Sequence, residues 1–153
     1  MVKITIEVKE NRALWDRILI ALGAADDLSL AWGIFKGSIA AYAIHNEYGA
    51  PKANIPSRPF LRTSTDNNQA KYSRILARAY SNMLATGQND WTNTLNQLGV
   101  RARTDVIRNI MQGSWTPNRE GTIKAKKSTR PLVDTGAMRN AIEWAIGKGR
   151  SFT

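Results

Sequence analysis

Apolar and polar residues alternate with two different periods along the first part of the chain. Residues 2–8 alternate strictly, which predicts a half-buried strand, and residues 28–34 alternate again. Between them, apolar residues recur at helical spacing, from a possible cap at Asn11 to a stop at Gly23. The helical stripe consists of Leu14, Trp15, Ile18, Leu19 and Leu22. The pattern therefore predicts a strand, a helix and a second strand that ends near Gly37.

Helical spacing dominates the middle of the chain. Ser38 can cap a short helix that ends at Gly49, and a longer helix runs up to a break at Gly87. Asn89 or Asp90 caps a further helix, which Gly113 closes. The apolar faces of the two long helices carry Tyr72, Ile75, Leu76, Ala79 and Met83, and Trp91, Leu95, Leu98, Ala102, Val106 and Ile110.

The last apolar segment fits two structures. Ile142, Trp144 and Ile146 alternate as in a strand, whereas Met138, Ala141, Ile142 and Ala145 would line one face of a helix. We favour a strand that follows a turn at 134–136, because it can pair with the earlier strands.

Two segments interrupt the regular pattern. Residues 49–59 contain three prolines, which remove backbone donors and restrict φ, so an extended arm or loop is expected over 49–60. Residues 114–131 are basic and poor in large apolar groups, which predicts a loop with one helical turn near 122–126. The whole chain, 1–153, is predicted to be one α+β domain, in which a small, mostly antiparallel sheet packs against several helices.

Composition narrows the chemistry that is available. The chain has no cysteine, so disulfides and thiolate sites are excluded, and no apolar run reaches the roughly 20 residues of a membrane span. The N-terminus does not resemble a signal peptide, so synthesis in a cytoplasm is expected. The net charge of +10 is concentrated in residues 101–153, which carry 11 basic and 4 acidic residues. A basic half can indicate nucleic acid, an acidic partner or simple solubility.

The strongest candidate for catalysis is the Asp134-Thr135-Gly136 sequence. It resembles the catalytic turn of retroviral-type aspartic proteases, but too few residues follow it to supply the flap and the later strand that those enzymes need. We interpret it as a turn in which Asp134 accepts a backbone hydrogen bond and Gly136 takes a positive φ. His45 is the only histidine, and no nucleophile elbow or phosphate loop is present. No catalytic, cofactor or metal site is predicted.

The basic segment offers a candidate binding surface. It contains Arg119, Lys124, Lys126, Lys127 and Arg130 and follows Trp115. These residues can grip phosphates and stack a base, or dock an acidic neighbour, or merely keep a loop soluble. We favour docking or solubility, because one aromatic ring makes a poor stacking platform. Trp15, Trp32 and Trp91 are predicted to be core residues, whereas Trp115 is predicted to be an interface anchor.

Two blocks of sequence carry a resemblance. The first is Ala43-Ile44-His45-Asn46-Glu47-Tyr48-Gly49, followed by Ile55-Pro56-Ser57-Arg58-Pro59-Phe60-Leu61-Arg62. The second is Trp115-Thr116-Pro117-Asn118 and Thr122-Ile123, followed by Arg130-Pro131-Leu132-Val133-Asp134-Thr135-Gly136-Ala137-Met138 and the residues up to Ile142. Together, in this order and spacing, they resemble the bacteriophage tail-completion and neck proteins, which include minor-tail Z-like and virion-morphogenesis proteins. The chain departs from that family at Thr116, where a proline is common, and in the length of the loop after Gly49.

The resemblance implies a non-enzymatic virion protein that joins or terminates the tail of a tailed phage at the head–tail interface, in a ring that is often hexameric. Its partners would be further copies of itself, tail tube or terminator proteins and the head connector, with assembly in the host cytoplasm. The expected subunit or partner contacts are Tyr48, Ile55, Pro56, Arg58, Pro59, Phe60 and Trp115. The basic residues 119–130 would meet an acidic surface or the DNA path. The alternative is a basic DNA-binding protein that acts on its own.

Overall fold

The computed structural model describes residues 12–126 and 128–148. The predicted strand at 2–8 and the predicted contact Lys127 lie outside these ranges. In chain order the elements are α1 (Arg12–Asp26), β1 (Leu28–Ile34), α2 (Gly37–Tyr48), a 3-10 turn (Pro51–Ala53), α3 (Phe60–Thr86), α4 (Trp91–Gln112), α5 (Glu120–Lys126), α6 (Ala137–Asn140) and β2 (Ile142–Lys148). Helices packed on an antiparallel pair of strands confirm the predicted α+β class.

The two described strands come from distant parts of the sequence and pair antiparallel. Leu30 lies opposite Ile146, and Trp32 lies opposite Trp144. Because side chains alternate between the two faces of a strand, these apolar residues all project from the same face. That face packs on α4 and α3. The strand predicted for the last apolar segment is therefore confirmed, and of the four residues with helical spacing only Met138 lies in a helix, α6.

The long helices α3 and α4 form an antiparallel hairpin with clear end signals. Gly87 ends α3 in the left-handed conformation (φ 68°), and its N–H donates to the carbonyl oxygen of Met83 at 2.7 Å. The Asp90 side chain then accepts the N–H of Asn93 at 2.9 Å and caps α4. At a rise of 1.5 Å per residue, α3 is about 40 Å long.

Three clusters of apolar side chains follow one another along this hairpin. The first surrounds Phe60, Ile110 and Ile142 near the start of α3, and the last joins α1 to Met83 and Trp91 near its end. The middle cluster packs the sheet on the hairpin, where a Cβ built on Gly99 would stand 2.3 Å from the Trp144 indole. The core therefore extends along the hairpin as a row, and its two ends lie far apart.

A buried carboxylate links the two long helices. Asp105 of α4 accepts hydrogen bonds from Lys71 Nζ at 2.6 Å and from the Tyr72 hydroxyl at 3.1 Å, and Arg108 Nη1 lies 3.2 Å away. Burial, and then the Asp105 charge and hydrogen bond, raise the pKa of Tyr72 above its ordinary value. The hydroxyl therefore remains a donor at neutral pH and holds α3 against α4.

Three details of the sequence-based prediction were wrong. Helix α1 continues past Gly23 to Asp26, and the N-cap of α2 is Lys36, without a side-chain hydrogen bond, rather than Ser38. Trp15, predicted to lie in the core, has 59% of its surface exposed, whereas Trp91 is buried and Trp32 is half-buried. Trp15 is exposed because α1 has two apolar stripes and Trp15 lies on the outer one. The inner one, Leu14, Ile18, Ala21, Leu22 and Ala25, faces the protein.

Candidate functional site

A buried arginine holds together the two blocks of sequence. Arg58 is 5% exposed, and its Nε donates to the carbonyl oxygen of Thr116 at 2.8 Å. Its Nη2 donates to the carbonyl oxygen of Pro117 at 3.1 Å and to Oδ1 of Asn118 at 3.2 Å, and its Nη1 donates to Oδ1 of Asn46 at 3.4 Å. One side chain therefore joins the end of α2, the proline-containing segment and the loop after α4.

The charged group of Arg58 is hydrogen-bonded by neutral oxygen atoms. Within the described ranges no carboxylate forms a salt bridge with Arg58. Burial lowers the pKa of Arg58 from its ordinary value, but a guanidinium remains charged in proteins. Carbonyl and amide dipoles that point at the guanidinium compensate for its lost hydration. The loop at 116–118 is thus built to receive a cation from elsewhere in the same chain.

A buried glutamate at the end of α2 caps α3. The two carboxylate oxygens of Glu47 accept the backbone N–H groups of Leu61, at 2.9 Å, and Arg62, at 3.0 Å. These N–H groups belong to the first turn of α3, where no carbonyl within the helix can receive them. A negative charge at this end also interacts favourably with the helix dipole. Glu47 therefore fixes where α3 begins.

Substitution of Glu47 tests this cap. Glu47→Gln leaves one acceptor oxygen for two buried N–H groups and removes the charge, so we expect the free energy of unfolding to fall by about 1–3 kcal/mol. Urea denaturation followed by circular dichroism measures the change. Glu143→Gln, at an exposed position on β2, is the matched control and should change stability by less than about 0.5 kcal/mol. Equal stabilities for the two variants would contradict the capping role.

The proline-containing segment folds back on itself between these two anchors. The backbone groups of Ala50 and Ile55 exchange hydrogen bonds at 2.9 and 3.0 Å, and Ser57 Oγ donates to the carbonyl oxygen of Glu47 at 2.9 Å. Gly49 has φ 79°, and a Cβ there would stand 3.0 Å from the backbone nitrogen of Ser57. Residues 49–59 are therefore a hydrogen-bonded loop with both ends attached to the body.

Residues of both blocks meet at the wall of one cleft of about 530 Å³. Its apolar lining includes Tyr42, Ile55, Pro56 and Leu132, and its basic side chains include Arg119 and Lys126. The whole α3–α4 hairpin lies between the two blocks in the sequence, so only the tertiary fold brings them together. We call this site the two-block cleft.

The charged groups of the two-block cleft are mostly cationic. Asp134 is the one carboxylate among its described lining residues, which also include the cationic Arg58, Arg119 and Lys126. Burial, with a smaller contribution from the Asp134 charge, raises the pKa of Tyr42, so its hydroxyl remains neutral. An apolar floor with a cationic rim suits an acidic or amphipathic segment of a protein partner.

The predicted contacts fall into three groups. Ile55, Pro56, Arg119 and Lys126 line the two-block cleft, and Lys124 and Arg130 are exposed nearby on the basic segment. Tyr48 is 69% exposed on another side of α2, with Arg62 Cζ 5.6 Å from its ring centre, and Pro59 is half-buried at the start of α3. These positions remain predicted contacts.

Two predicted contacts are internal and require correction. The Arg58 side chain and the Phe60 ring, 5% and 2% exposed, are packed within the protein and cannot reach a neighbour. Trp115 is half-buried against the first core cluster, so part of its surface is accessible and its role as an anchor stays a prediction. An arginine and an aromatic ring beside prolines suggested a surface loop, whereas tertiary packing uses both to close the loop onto the body.

The Asp134-Thr135-Gly136 segment is a turn, as predicted. Gly136 has φ 80°, but the side chain that accepts a backbone hydrogen bond is Thr135, from the N–H of Ala137 at 3.3 Å, rather than Asp134. Asp134 is exposed, and no second carboxylate lines the described part of its cleft, so the paired geometry of an aspartic protease is not met there. In the described ranges no three potential metal-binding side chains come together.

Comparison with protein-family models, curated proteins and solved structures gave no match to this chain. None of the described helices is both long and apolar enough to span a membrane. Function must therefore be argued from the residues and their arrangement.

Sequence reasoning missed Glu47 and Asn46 as structural groups, although both lie in the first block and polar residues at a helix end were a signal of capping.

Proposed function

We propose that this protein is a structural subunit of a tailed bacteriophage particle, which joins or terminates the tail at the head–tail interface by assembling into a ring, expected to be hexameric. Its neighbours would be further copies of itself, tail tube or terminator proteins and the head connector. Its site of action would be the virion, after assembly in the host cytoplasm. It is proposed to act by binding rather than by catalysis.

The convergence of the two blocks supports this proposal most directly. The resemblance to tail-completion and neck proteins rests on 43–62 and 115–142, which are distant in sequence. In the fold, both blocks line the two-block cleft, and Arg58 of the first is bound by Thr116, Pro117 and Asn118 of the second. Two distant motifs that form one surface can both serve a single contact with a partner. An assembly subunit requires such a contact.

Two observations favour the DNA-binding alternative, the basic residues and the nearby Trp115, and the second is weakened. Exposed basic residues on the 119–130 segment could still neutralise phosphates. The ring proposed to stack on a base, Trp115, is packed against the protein's own core. Phosphate contact alone gives weak, salt-sensitive binding without sequence preference.

Gel filtration with light scattering, together with electron microscopy of negatively stained samples, tests the proposal. We expect the full chain to form a ring of defined mass, alone or with tail and connector proteins, at a salt concentration that abolishes DNA binding. Antibody labelling of phage particles should place it at the neck. A chain that stays monomeric with every such partner and is absent from particles would refute the proposal, and tight DNA binding that persists in high salt would favour the alternative.

A further inference from the structure

The outward face of α1 is an unusual surface for an isolated molecule. Trp15, Leu19 and Ile20 are 59%, 63% and 74% exposed, although the inner stripe of the same helix already packs against Met83 and Trp91. A helix with apolar residues on both sides is normally covered on both sides. Contiguous exposed apolar groups mark interaction surfaces.

This apolar face carries acidic side chains. Asp16 lies beside Trp15 in the same helical turn, and Asp26 and Asp27 are exposed where the helix ends. Asp90, at the start of α4, is exposed at the same end of the molecule. Arg12 and Arg17, the basic residues of α1, are also exposed, so the acidic excess among the described residues at this end of the molecule is four carboxylates (Asp16, Asp26, Asp27 and Asp90) against two cations. We call Trp15, Asp16, Leu19 and Ile20, with the acidic groups at the helix end, the α1 face.

The α1 face and the two-block cleft lie at opposite ends of the long hairpin. Helix α1 packs near Met83 and Gly87, at the end of α3, whereas Arg58 and the cleft adjoin its beginning. The length of α3, about 40 Å, separates them. Because one surface is apolar with acidic groups and the other is apolar with a cationic rim, they are complementary in charge and cannot meet within one molecule.

We infer that the α1 face of one copy binds in the two-block cleft of the next copy, so that the ring is built by a head-to-tail contact. This inference rests on the proposed ring assembly and names the surfaces that form it. A contact between two different surfaces of the same chain propagates and closes into a ring when its rotation permits. Trp15 and Leu19 fill the cleft beside Ile55 and Leu132, while Asp16 and the acidic helix end meet Arg119 and Lys126.

The other apolar groove is a poorer receptor for this face. A groove of about 510 Å³ lies between α2, α3 and the sheet, and its rim includes Tyr48, Arg62 and Asp66. One exposed cation and one exposed anion leave its rim without a net charge to attract the acidic α1 face. The two-block cleft, with Arg119 and Lys126 against Asp134, has that charge.

Mixing two complementary variants tests the head-to-tail contact. Trp15→Ala/Leu19→Ser damages the α1 face and keeps the cleft, and Arg119→Glu/Lys126→Glu damages the cleft and keeps the α1 face. Each variant alone should remain at the 17.0 kDa of one chain, as measured by light scattering. An equimolar mixture should give a species of twice that mass and nothing larger, because only one productive contact remains. Circular dichroism of each variant checks that it is folded.

The outcomes separate this inference from the proposed function. If the wild-type chain forms rings and either variant alone also forms them, or if the mixture remains monomeric, the head-to-tail contact is wrong while ring assembly stands. A Tyr48→Arg variant that remains monomeric alone and forms only a dimer with the α1 variant would place the receptor in the other groove and overturn the assignment. If the wild-type chain never assembles, the inference and the proposed function both fail.

Discussion

Replacing Arg58 with alanine is expected to lower the free energy of unfolding by about 3–5 kcal/mol, the largest effect expected of any polar substitution in the described structure. The change leaves the carbonyl oxygens of Thr116 and Pro117 and the amide oxygens of Asn46 and Asn118 without the donor that now serves them. These bonds are part-buried and their donor is charged, and one hydrogen bond to a charged group contributes about 1.5–3 kcal/mol. Thermal unfolding followed by circular dichroism should show a fall in Tm of roughly 10 °C.

Two further variants show whether geometry or charge is responsible. Arg58→Lys retains the positive charge, but a compact ammonium group cannot reach four acceptors that are arranged around a planar guanidinium, so much of the loss should persist. Arg62→Ala is the matched control, because the side chain of this nearby arginine is exposed over the ring of Tyr48, and alanine keeps the backbone N–H that Glu47 accepts. It should change stability by less than about 0.5 kcal/mol. An Arg58→Ala protein that unfolds at the wild-type temperature would show that the guanidinium does not hold the loop.

Most of the secondary structure within the described ranges could be predicted, because local rules govern it. The periods of 2 and 3.6 identified both described strands and the long helices, and Gly87 and Asp90 marked the hairpin between α3 and α4. Those residues act through their own backbone conformation or a neighbouring N–H group. Pairing of the last strand with an earlier strand was predicted without saying which one, and the described partner is β1.

The direction in which α1 faces the protein could not be predicted. Leu14 and Ile18 lie on one stripe and Trp15 and Leu19 on another, and hydropathy alone does not distinguish them. Only contact with Met83 and Trp91, at the far ends of α3 and α4, selects the inner stripe. Trp15 lies on the second apolar stripe, which is exposed. This is why its position was predicted wrongly, and it is also why that face indicates an interaction surface.

Many residues of the candidate site were predicted, but the roles of some of them were predicted wrongly. The two blocks contain segments that meet in the fold, but their meeting was not predicted, and Arg58 and Phe60 were assigned to a partner. Burial of an arginine is costly unless several oxygen atoms surround it, so exposure is the ordinary expectation for this residue type. The oxygens that reverse this expectation come from 116–118, across the whole hairpin, and no local pattern indicates them.

Phe60→Ala is expected to destabilise the protein by about 3–5 kcal/mol, because its ring lies at the centre of the first core cluster and is 2% exposed. Alanine favours helix, and the two backbone hydrogen bonds of this residue, to Arg58 and from Asn109, do not involve the ring. The measured loss will therefore report the lost burial of the ring together with the cavity that it leaves. Urea denaturation provides the value, with Phe35→Ala, which removes a ring that is 48% exposed, as the matched control. That control should cost about 1 kcal/mol or less.

The same variant separates an internal role for Phe60 from a role in assembly. At a temperature at which Phe60→Ala is still folded, its surface is that of the wild type, so it should assemble to the same mass by light scattering. The Trp15→Ala/Leu19→Ser variant should behave in the opposite way, with nearly normal stability and no assembly. A Phe60→Ala protein of normal stability that fails to assemble would return this ring to the subunit interface and contradict the packing described for the start of α3.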